Sequence, residues 1–139
     1  MEIEALRRIT DPAIAALQQA MALDRWKISL KYQELDNDAG HAYVFAHQRD
    51  GGIILNPSQL ESEEGALLVL RHELLHFILG PLDAYDAQVQ KIVETDESLS
   101  KVLREAHTDA VERCLSLVEA MLDHGLGMTP RKMVAKGRK

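Results

Sequence analysis

The segment from Glu63 to Leu79 is the strongest constraint on how this chain can fold. Its apolar residues cover nearly the whole circumference of a helix, so such a helix has to be buried at the centre of the protein. Ser58, with Glu61 three residues later as in a capping box, predicts where the helix begins. Gly80, followed by proline, predicts that it ends at Leu79. We therefore expect the other elements to pack around this helix.

Hydrophobic periodicity predicts further elements on both sides of the central helix. Thr10 or Asp11 can cap a first helix that extends to about Asp24, with Pro12 in its first turn. Alternation of apolar and polar residues predicts strands, and helical spacing predicts helices farther along. The predicted strands are residues 25–33, 41–47 and 52–55. Residues 82–95 are predicted to form a more exposed helix or loop, and residues 98–124 a long helix. The expected fold class is α+β, with three or four helices on one face of a small antiparallel sheet.

Length and charge divide the chain into a domain and a tail. A chain of 139 residues fits one compact domain. The net charge is −6, but five of the 16 basic residues lie in the last nine positions, so residues 1–130 carry 11 basic against 22 acidic groups. An acidic surface of this kind repels phosphate backbones, and no nucleic-acid partner is expected for the folded part. Residues 1–130 are therefore predicted to be the domain, and the basic residues 131–139 a disordered tail.

The compartment is predicted from the single thiol and from the apolar runs. Cys114 has no second cysteine to pair with inside the chain, and charged residues follow Met1 where a signal sequence would have an apolar core. The longest apolar run, residues 65–70, is too short to span a bilayer. These features predict a cytoplasmic protein without a membrane segment.

Three polar residues interrupt the apolar helix in the pattern HExxH: His72, Glu73 and His76. In a helix the two histidines lie about 40° apart in azimuth and about 6 Å apart along the axis, so both imidazoles can bind one metal ion. Glu73 lies about 100° round from His72, at the edge of that face, where a carboxylate can reach an activated water without being a ligand. Burying three polar groups without partners would cost several kcal/mol. The pattern therefore predicts a zinc site with an adjacent general base.

Two histidines need a third protein ligand to form a catalytic zinc site. The densest cluster of ligand-forming residues outside the HExxH helix is residues 105–112 of the last long helix. A predicted buried stripe orients this helix, and its members are Leu103, Ala106, Ala110, Cys114, Leu117 and Met121. The angles round the helix axis from the centre of that stripe are about 55° for His107, about 100° for Asp109, about 140° for Glu105 and about 160° for Glu112. Periodicity thus favours His107 and predicts that Glu112 is a solvated charge.

An HExxH helix followed by a second helix with an acidic residue resembles the gluzincin metallopeptidases, and most closely their minimal forms. The N-terminal helix, the strand at residues 26–30, the hairpin at residues 42–55 and the HExxH helix are similar to small metallopeptidases of phage and bacterial origin over residues 10–123. In those relatives an acidic residue directly before a small or β-branched residue supplies the third ligand. Here that position reads Asp109-Ala110-Val111, with Asp where Glu is usual.

The resemblance implies Asp109 as the third ligand, and two alternatives stay open. Glu105 can ligate while Asp109 orients a histidine, as in the Glu-xxx-Asp element of larger gluzincins. His107 is the alternative that periodicity favours. If none of these binds the metal, His41, His47 or the acidic segment 83–86 would be left.

The resemblance implies a zinc-dependent metallopeptidase that acts on a peptide or protein. Zn²⁺ would be held by His72, His76 and Asp109, with Glu73 as the general base. His124 and Tyr85 are weaker candidates for a hydrogen bond to the tetrahedral oxyanion, and the strand edge at residues 43–47 could align an extended peptide. The rival interpretation is a non-catalytic regulatory or structural domain, in which the same residues form a structural metal site. A fourth protein ligand that closes the site would favour the rival.

Overall fold

The computed structural model describes residues 1–125 and 127–137, and over these ranges the fold is α+β. The described part consists of five α-helices and a three-stranded mixed sheet. The helices are α1 (Ile3–Ala20), α2 (Glu63–Ile78), α3 (Gly80–Val93), α4 (Glu97–Ala120) and α5 (Pro130–Gly137). The strands are β1 (Lys27–Tyr32), β2 (Gly40–Phe45) and β3 (Asp50–Leu55). Short 3-10 turns follow β2 and β3, and a π-helical turn, Met121–Gly125, continues α4.

The sheet has the order β1-β3-β2, with β3 in the middle. β2 pairs antiparallel with β3, from Gly40 opposite Leu55 to Phe45 opposite Asp50, as the predicted hairpin requires. β1 pairs parallel with β3, so the prediction of an entirely antiparallel sheet is wrong. After β1 the chain crosses to the far edge to form β2 and then returns by the hairpin to the centre. The central place suits β3, whose Ile53 and Leu55 are fully buried.

α2 is the buried central helix, as predicted. It packs on β2, β3, α1 and α5, and its Leu70, Leu74 and Phe77 are in the main hydrophobic core. The helix begins later than predicted, because the hydroxyl of Ser62 accepts the Gly65 N–H at 3.0 Å and caps it. The predicted cap, Ser58, belongs instead to a separate 3-10 turn. Gly80-Pro81 ends α2 as expected and also begins α3, with proline in the first turn.

α1 begins at Ile3, well before the predicted cap at Thr10 or Asp11. Pro12 lies inside the helix, where it removes one backbone hydrogen bond. The helix continues through it because a buried face runs across the proline, from Leu6 and Thr10 to Ala13 and Leu17. The buried hydroxyl of Thr10 donates to the Leu6 carbonyl at 2.9 Å, which satisfies it within the helix. Packing of this face therefore outweighs the local signal to start at the proline.

The basic C-terminal segment differs from the predicted disordered tail. Pro130–Gly137 is a short helix that packs on α1. Met133 and Val134 are buried in the main core, at 2% and 8% exposure, while Arg131 stays at the surface 3.7 Å from Glu63. This segment therefore docks through adjacent buried apolar residues in spite of its charges. Residues 138 and 139 of the predicted tail lie outside the described residues.

A buried arginine joins α2 to the C-terminal third of the chain. Arg71 is fully buried, and its guanidinium donates twice to the carboxylate of Asp123, at 2.7 and 3.2 Å. The same group donates to the Met128 carbonyl at 3.1 Å and approaches Glu119 at 3.5 Å. A buried cation without such partners would be strongly destabilising. Arg71 therefore holds the end of α4 and the approach to α5 against the central helix.

No single described helix is long and apolar enough to cross a membrane. α2 and α3 taken together reach the necessary length and composition, but the two helices are bent by 57° where they meet.

We expect the Asp123–Arg71 ion pair to make folding stability depend on acid pH. The hydrogen bonds from Arg71 hold the pKa of Asp123 below its ordinary value. A pKa that is lower in the folded state contributes stability above the unfolded pKa, and that stability is lost as the pH falls through the folded pKa. Asp123→Asn should therefore lower the free energy of unfolding at pH 7 by about 1 to 3 kcal/mol. The difference from wild type should shrink below about pH 4.

Urea unfolding, monitored by circular dichroism between pH 7 and pH 3, measures how the free energy of unfolding depends on pH. Asp109→Asn is the matched control, because Asp109 pairs with Arg113 at the surface of α4. Equal losses of stability in both variants would contradict a special role for the buried pair.

Candidate metal centre

His72 and His76 lie on adjacent turns of α2 and face one cavity of about 560 Å³. Their ring centroids are 5.3 Å apart, and both side chains are largely buried. Burial lowers the pKa of His76 below its ordinary value, which favours the neutral imidazole that a metal requires. The prediction that the two histidines share one helical face is confirmed.

The third group at this site is Glu112, from the middle of α4. Its Oε1 lies 3.4 Å from Nε2 of His76, and its Oε2 lies 3.6 Å from Nε2 of His72. One ligand atom from each residue can be chosen so that all three lie within 4.8 Å of one another. A tetrahedral zinc ion with bonds of about 2.0 to 2.1 Å separates its ligand atoms by about 3.3 Å. The three side chains therefore fit a metal ion, although two imidazoles and a carboxylate also suit other divalent metals.

None of the three residues considered as third ligand joins the two histidines. Asp109, the first choice, points away and binds Arg113 at 3.0 Å on the surface of α4. Glu105 lies 4.0 Å from Lys101 and is also largely exposed. The prediction of Asp109 beside the two histidines therefore needs correction, because the carboxylate that faces them is that of Glu112.

The physical reason for this correction is the rotation of α4 about its own axis. The residues of α4 that are buried against the body are Val111 and Leu115, whereas Ala110 and Cys114 from the predicted stripe are exposed. The true stripe is thus one residue later along the chain, which turns the helix by about 100°. That rotation brings Glu112 towards α2 and carries Asp109 into solvent.

His107 occupies a different wall of the same cavity. Its Nε2–H donates to the carboxylate of Asp83 in α3 at 2.8 Å, and both residues line the cavity. His107 is therefore half-buried and hydrogen-bonded to α3, apart from the triad of His72, His76 and Glu112, so the third ligand that periodicity favours does not lie beside the two histidines.

Glu119 is a site residue that sequence reasoning missed. Its Oε1 accepts a hydrogen bond from Nδ1 of His72 at 2.6 Å, and this bond raises the pKa of the imidazole. Burial would raise the pKa of Glu119, but the hydrogen bond from His72 and the charge of Arg71 together lower it. With Nδ1 engaged in this way, Nε2 of His72 is the nitrogen that faces Glu112. A carboxylate that orients a histidine is the usual support for a metal-binding imidazole.

The sequence contains a pattern that could have placed Glu112 and Glu119 beside the two histidines. Glu112 and Glu119 are seven residues apart and flank Leu115, so all three lie on one side of α4. They border the stripe Val111, Leu115 and Val118, which has the helical spacing of a buried face and packs against α2. Choosing this stripe would have placed both carboxylates beside the histidines.

Glu73 lines the same cavity but is not part of the triad. Its side chain is buried, and burial is the main reason that its pKa rises to about 7, against the opposing influence of His72. Gly40, at the start of β2, lies directly against it: a Cβ at Gly40 would be 3.0 Å from Oε1 of Glu73. The strand therefore confines a carboxyl group that can gain or lose a proton near neutral pH.

The remaining candidates lie mostly away from the centre. His41 is at the exposed rim of the cavity, whereas His47 lines a separate one between β2 and α3. Tyr85 is 66% exposed on α3, and His124 is exposed in the π-helical turn. Neither lines the cavity of the triad. Cys114, predicted to be buried, is exposed.

No protein-family model matches this chain, and comparisons with the curated proteins and with the solved structures give no match either. Any assignment of function therefore depends on the chemistry of the cavity and of the residues that line it.

Proposed function

We propose that this protein is a zinc-dependent metallopeptidase with a zincin-like centre of the gluzincin type. His72, His76 and Glu112 would hold the metal, and Glu73 would act as general base. The observation that carries the proposal is the position of Glu112, whose two oxygens face Nε2 of both histidines across the cavity. A buried carboxylate that is not a ligand lies in the same cavity, as hydrolysis by an activated water requires.

Zinc, when bound, supplies Lewis-acid chemistry by lowering the pKa of water and polarising a carbonyl group. Glu73 accepts the proton of the attacking water and then donates it to the leaving amine. A carboxyl group with a pKa of about 7 suits both steps, because it releases and binds a proton near neutral pH. Gly40 keeps that carboxyl group in place, since any side chain there would meet it.

The free edge of β2 supports an extended peptide as the substrate. Among the described strands β2 pairs with β3 on one side and has no strand on the other, and Gly40, His41 and Ala42 at its beginning line the cavity. A peptide added to this edge would pass the metal centre with its backbone groups paired to the strand. The part of the edge that lines the cavity is residues 40–42, earlier than the residues 43–47 expected from the sequence.

A purely structural metal site is the rival function. Structural zinc sites are normally closed by four protein ligands. Among the described residues the triad has no fourth member, and it borders a cavity of about 560 Å³. Both features favour the hydrolase.

Zinc titration of ligand variants tests the metal site. Purified protein should bind about one zinc per chain, and Glu112→Ala should weaken binding by more than about 100-fold, beyond the range for residues that only orient a ligand. Asp109→Ala is the matched control: it removes a carboxylate from the same helix one turn away and should leave the affinity unchanged. Competition with a chromophoric chelator measures both constants. Zinc loss in Asp109→Ala with retention in Glu112→Ala would restore the original ligand assignment.

Glu73→Gln separates catalysis from ligation. Because Glu73 is not a ligand, the variant should keep zinc and its fold while hydrolysis falls by a factor of about 10² to 10⁴. Cleavage of fluorescein-labelled casein and of a mixed quenched-fluorescent peptide library measures the activity. Absence of zinc-dependent cleavage in the wild type would reject the peptidase, and loss of zinc in the variant would make Glu73 a ligand.

Glu119→Gln tests the orienting carboxylate. The amide cannot accept from His72 as strongly as the carboxylate does, so zinc affinity should fall by about 10- to 100-fold, less than for a lost ligand. Glu105→Gln, an exposed change on the same helix, is the control that should leave the affinity as it is. An unchanged affinity in Glu119→Gln would show that the hydrogen bond to His72 has no influence on the metal.

A further inference from the structure

A second cavity, of about 310 Å³, lies between the end of β2 and α3. Its walls are residues 44–48 on the side of the sheet, and Gly80, Asp83, Ala84 and Ala87 on the side of α3. We call it the side cavity. Its volume is at the lower end of the range for ligand pockets, so it has room for one side chain rather than for a whole ligand.

Asp83 joins the side cavity to the cavity of the triad, because it lines both. Its carboxylate accepts the hydrogen bond from Nε2 of His107 at 2.8 Å, which holds it at the boundary between the two. The side cavity and the cavity of the triad are therefore neighbours, and a molecule that is bound at the triad can extend from one into the other.

The side cavity is apolar, whereas the cavity of the triad is lined mostly by histidines and carboxylates. Its one carboxylate, that of Asp83, is already paired with His107. Among the described residues that line it, none is lysine or arginine. The side cavity therefore suits an uncharged apolar group, which gains free energy by leaving water. Most of its lining residues have no polar group in the side chain, and these are Val44, Phe45, Ala46, Gly80, Ala84 and Ala87.

The strand β2 runs past both cavities. Residues 40–42 at its beginning line the cavity of the triad, and Val44 and Phe45 at its end line the side cavity. Ala42 and Val44, two residues apart, both pack against the main core, so they lie on the inward face of the sheet. A peptide that is added to the edge of β2 alternates its side chains in the same way. Its inward side chains therefore meet first one cavity and then the other.

The spacing along β2 sets which residue of such a peptide reaches the side cavity. An extended peptide on a strand edge advances by about 3.3 Å per residue, as the strand does. The step from residues 40–42 to Val44 and Phe45 therefore corresponds to about two to four peptide residues. Antiparallel pairing is the more stable arrangement per residue, and an antiparallel peptide runs backwards along β2. The residue in the side cavity then lies on the N-terminal side of the bond at the metal.

We propose that the side cavity binds an uncharged apolar side chain of the substrate, about two to four residues before the bond that is cut. The substrates are then peptides with an aliphatic or aromatic residue at that position. Ala84 and Ala87 determine this specificity, because a large side chain at either position would fill the cavity. The inference rests on the proposed peptidase function and adds to it the class of peptide that is cut.

Mapping of cleavage sites tests the position of the apolar residue. The full chain, loaded with zinc, is incubated with reduced casein and with a mixed peptide library, and mass spectrometry identifies the bonds that are cut. Apolar residues should be enriched at one position before the cut bond, and replacing that residue by serine in a single peptide should lower kcat/KM by about 10-fold or more. Cleavage without such a preference, or with a preference only after the cut bond, would overturn this inference and leave the peptidase standing. Absence of zinc-dependent cleavage would reject the peptidase itself, and the inference with it.

Variants that fill the side cavity test its role directly. Ala84→Phe and Ala87→Phe should raise KM for the apolar peptide by about 10-fold with little change in kcat, and should leave kcat/KM for the serine peptide as it is. Gln88→Phe is the matched control, because Gln88 is an exposed neighbour on α3 that does not line the cavity.

Peptide binding gives a measurement that does not depend on turnover. The fluorescein-labelled apolar peptide should bind the Glu73→Gln protein, and adding Ala87→Phe should weaken that binding by about 10-fold in fluorescence anisotropy. Circular dichroism and zinc affinity should be unchanged in all of these variants. An equal loss for the apolar and the serine peptide, or no loss in either filled variant, would overturn the proposal.

Discussion

The ion pair between Arg71 and Asp123 is the interaction on which the candidate site depends. Arg71 is fully buried in α2, next to His72, so its charge must be met by groups that the chain brings from far away. Asp123 and Glu119, about 50 residues later, meet that need. A buried guanidinium tolerates few alternative arrangements of its partners. The pair therefore fixes both the position of α4 and its rotation about its axis.

The same rotation sets the geometry of the metal centre. Glu119 contacts Arg71 through one oxygen and accepts from His72 through the other. Seven residues earlier on the same side of α4, Glu112 then faces both histidines. One buried cation thus helps to place Glu112 beside the two histidines and holds the carboxylate that orients His72. A small apolar cluster of Leu75, Val111 and Leu115, with Met21, Leu79 and Val118 packed against it, supports this arrangement from the core.

The sequence was a good guide to the elements with strong local patterns, although not to where α1 and α2 begin. The buried HExxH helix, the β2–β3 hairpin and the α+β class follow from periodicity and turn residues, and the structure agrees with them. Features that depend on contacts between distant parts of the chain were harder to predict from the sequence. The parallel pairing of β1 depends on strand order, which alternation does not encode. The docking of α5 depends on two apolar residues, Met133 and Val134, in a segment dominated by charge.

Asp109 was expected beside the two histidines because α4 carries two apolar stripes, and the prediction took the wrong one as the buried face. The stripe that begins at Val111 is short and packs against α2, whereas the longer one, through Ala110, Cys114 and Leu117, remains exposed. Periodicity alone favours the longer stripe as the buried face. In the structure Arg71 imposes the other choice, since only that rotation brings both Glu119 and Asp123 to the buried cation. The longer stripe is then left at the surface over most of its length, because one rotation of α4 cannot turn both stripes towards α2.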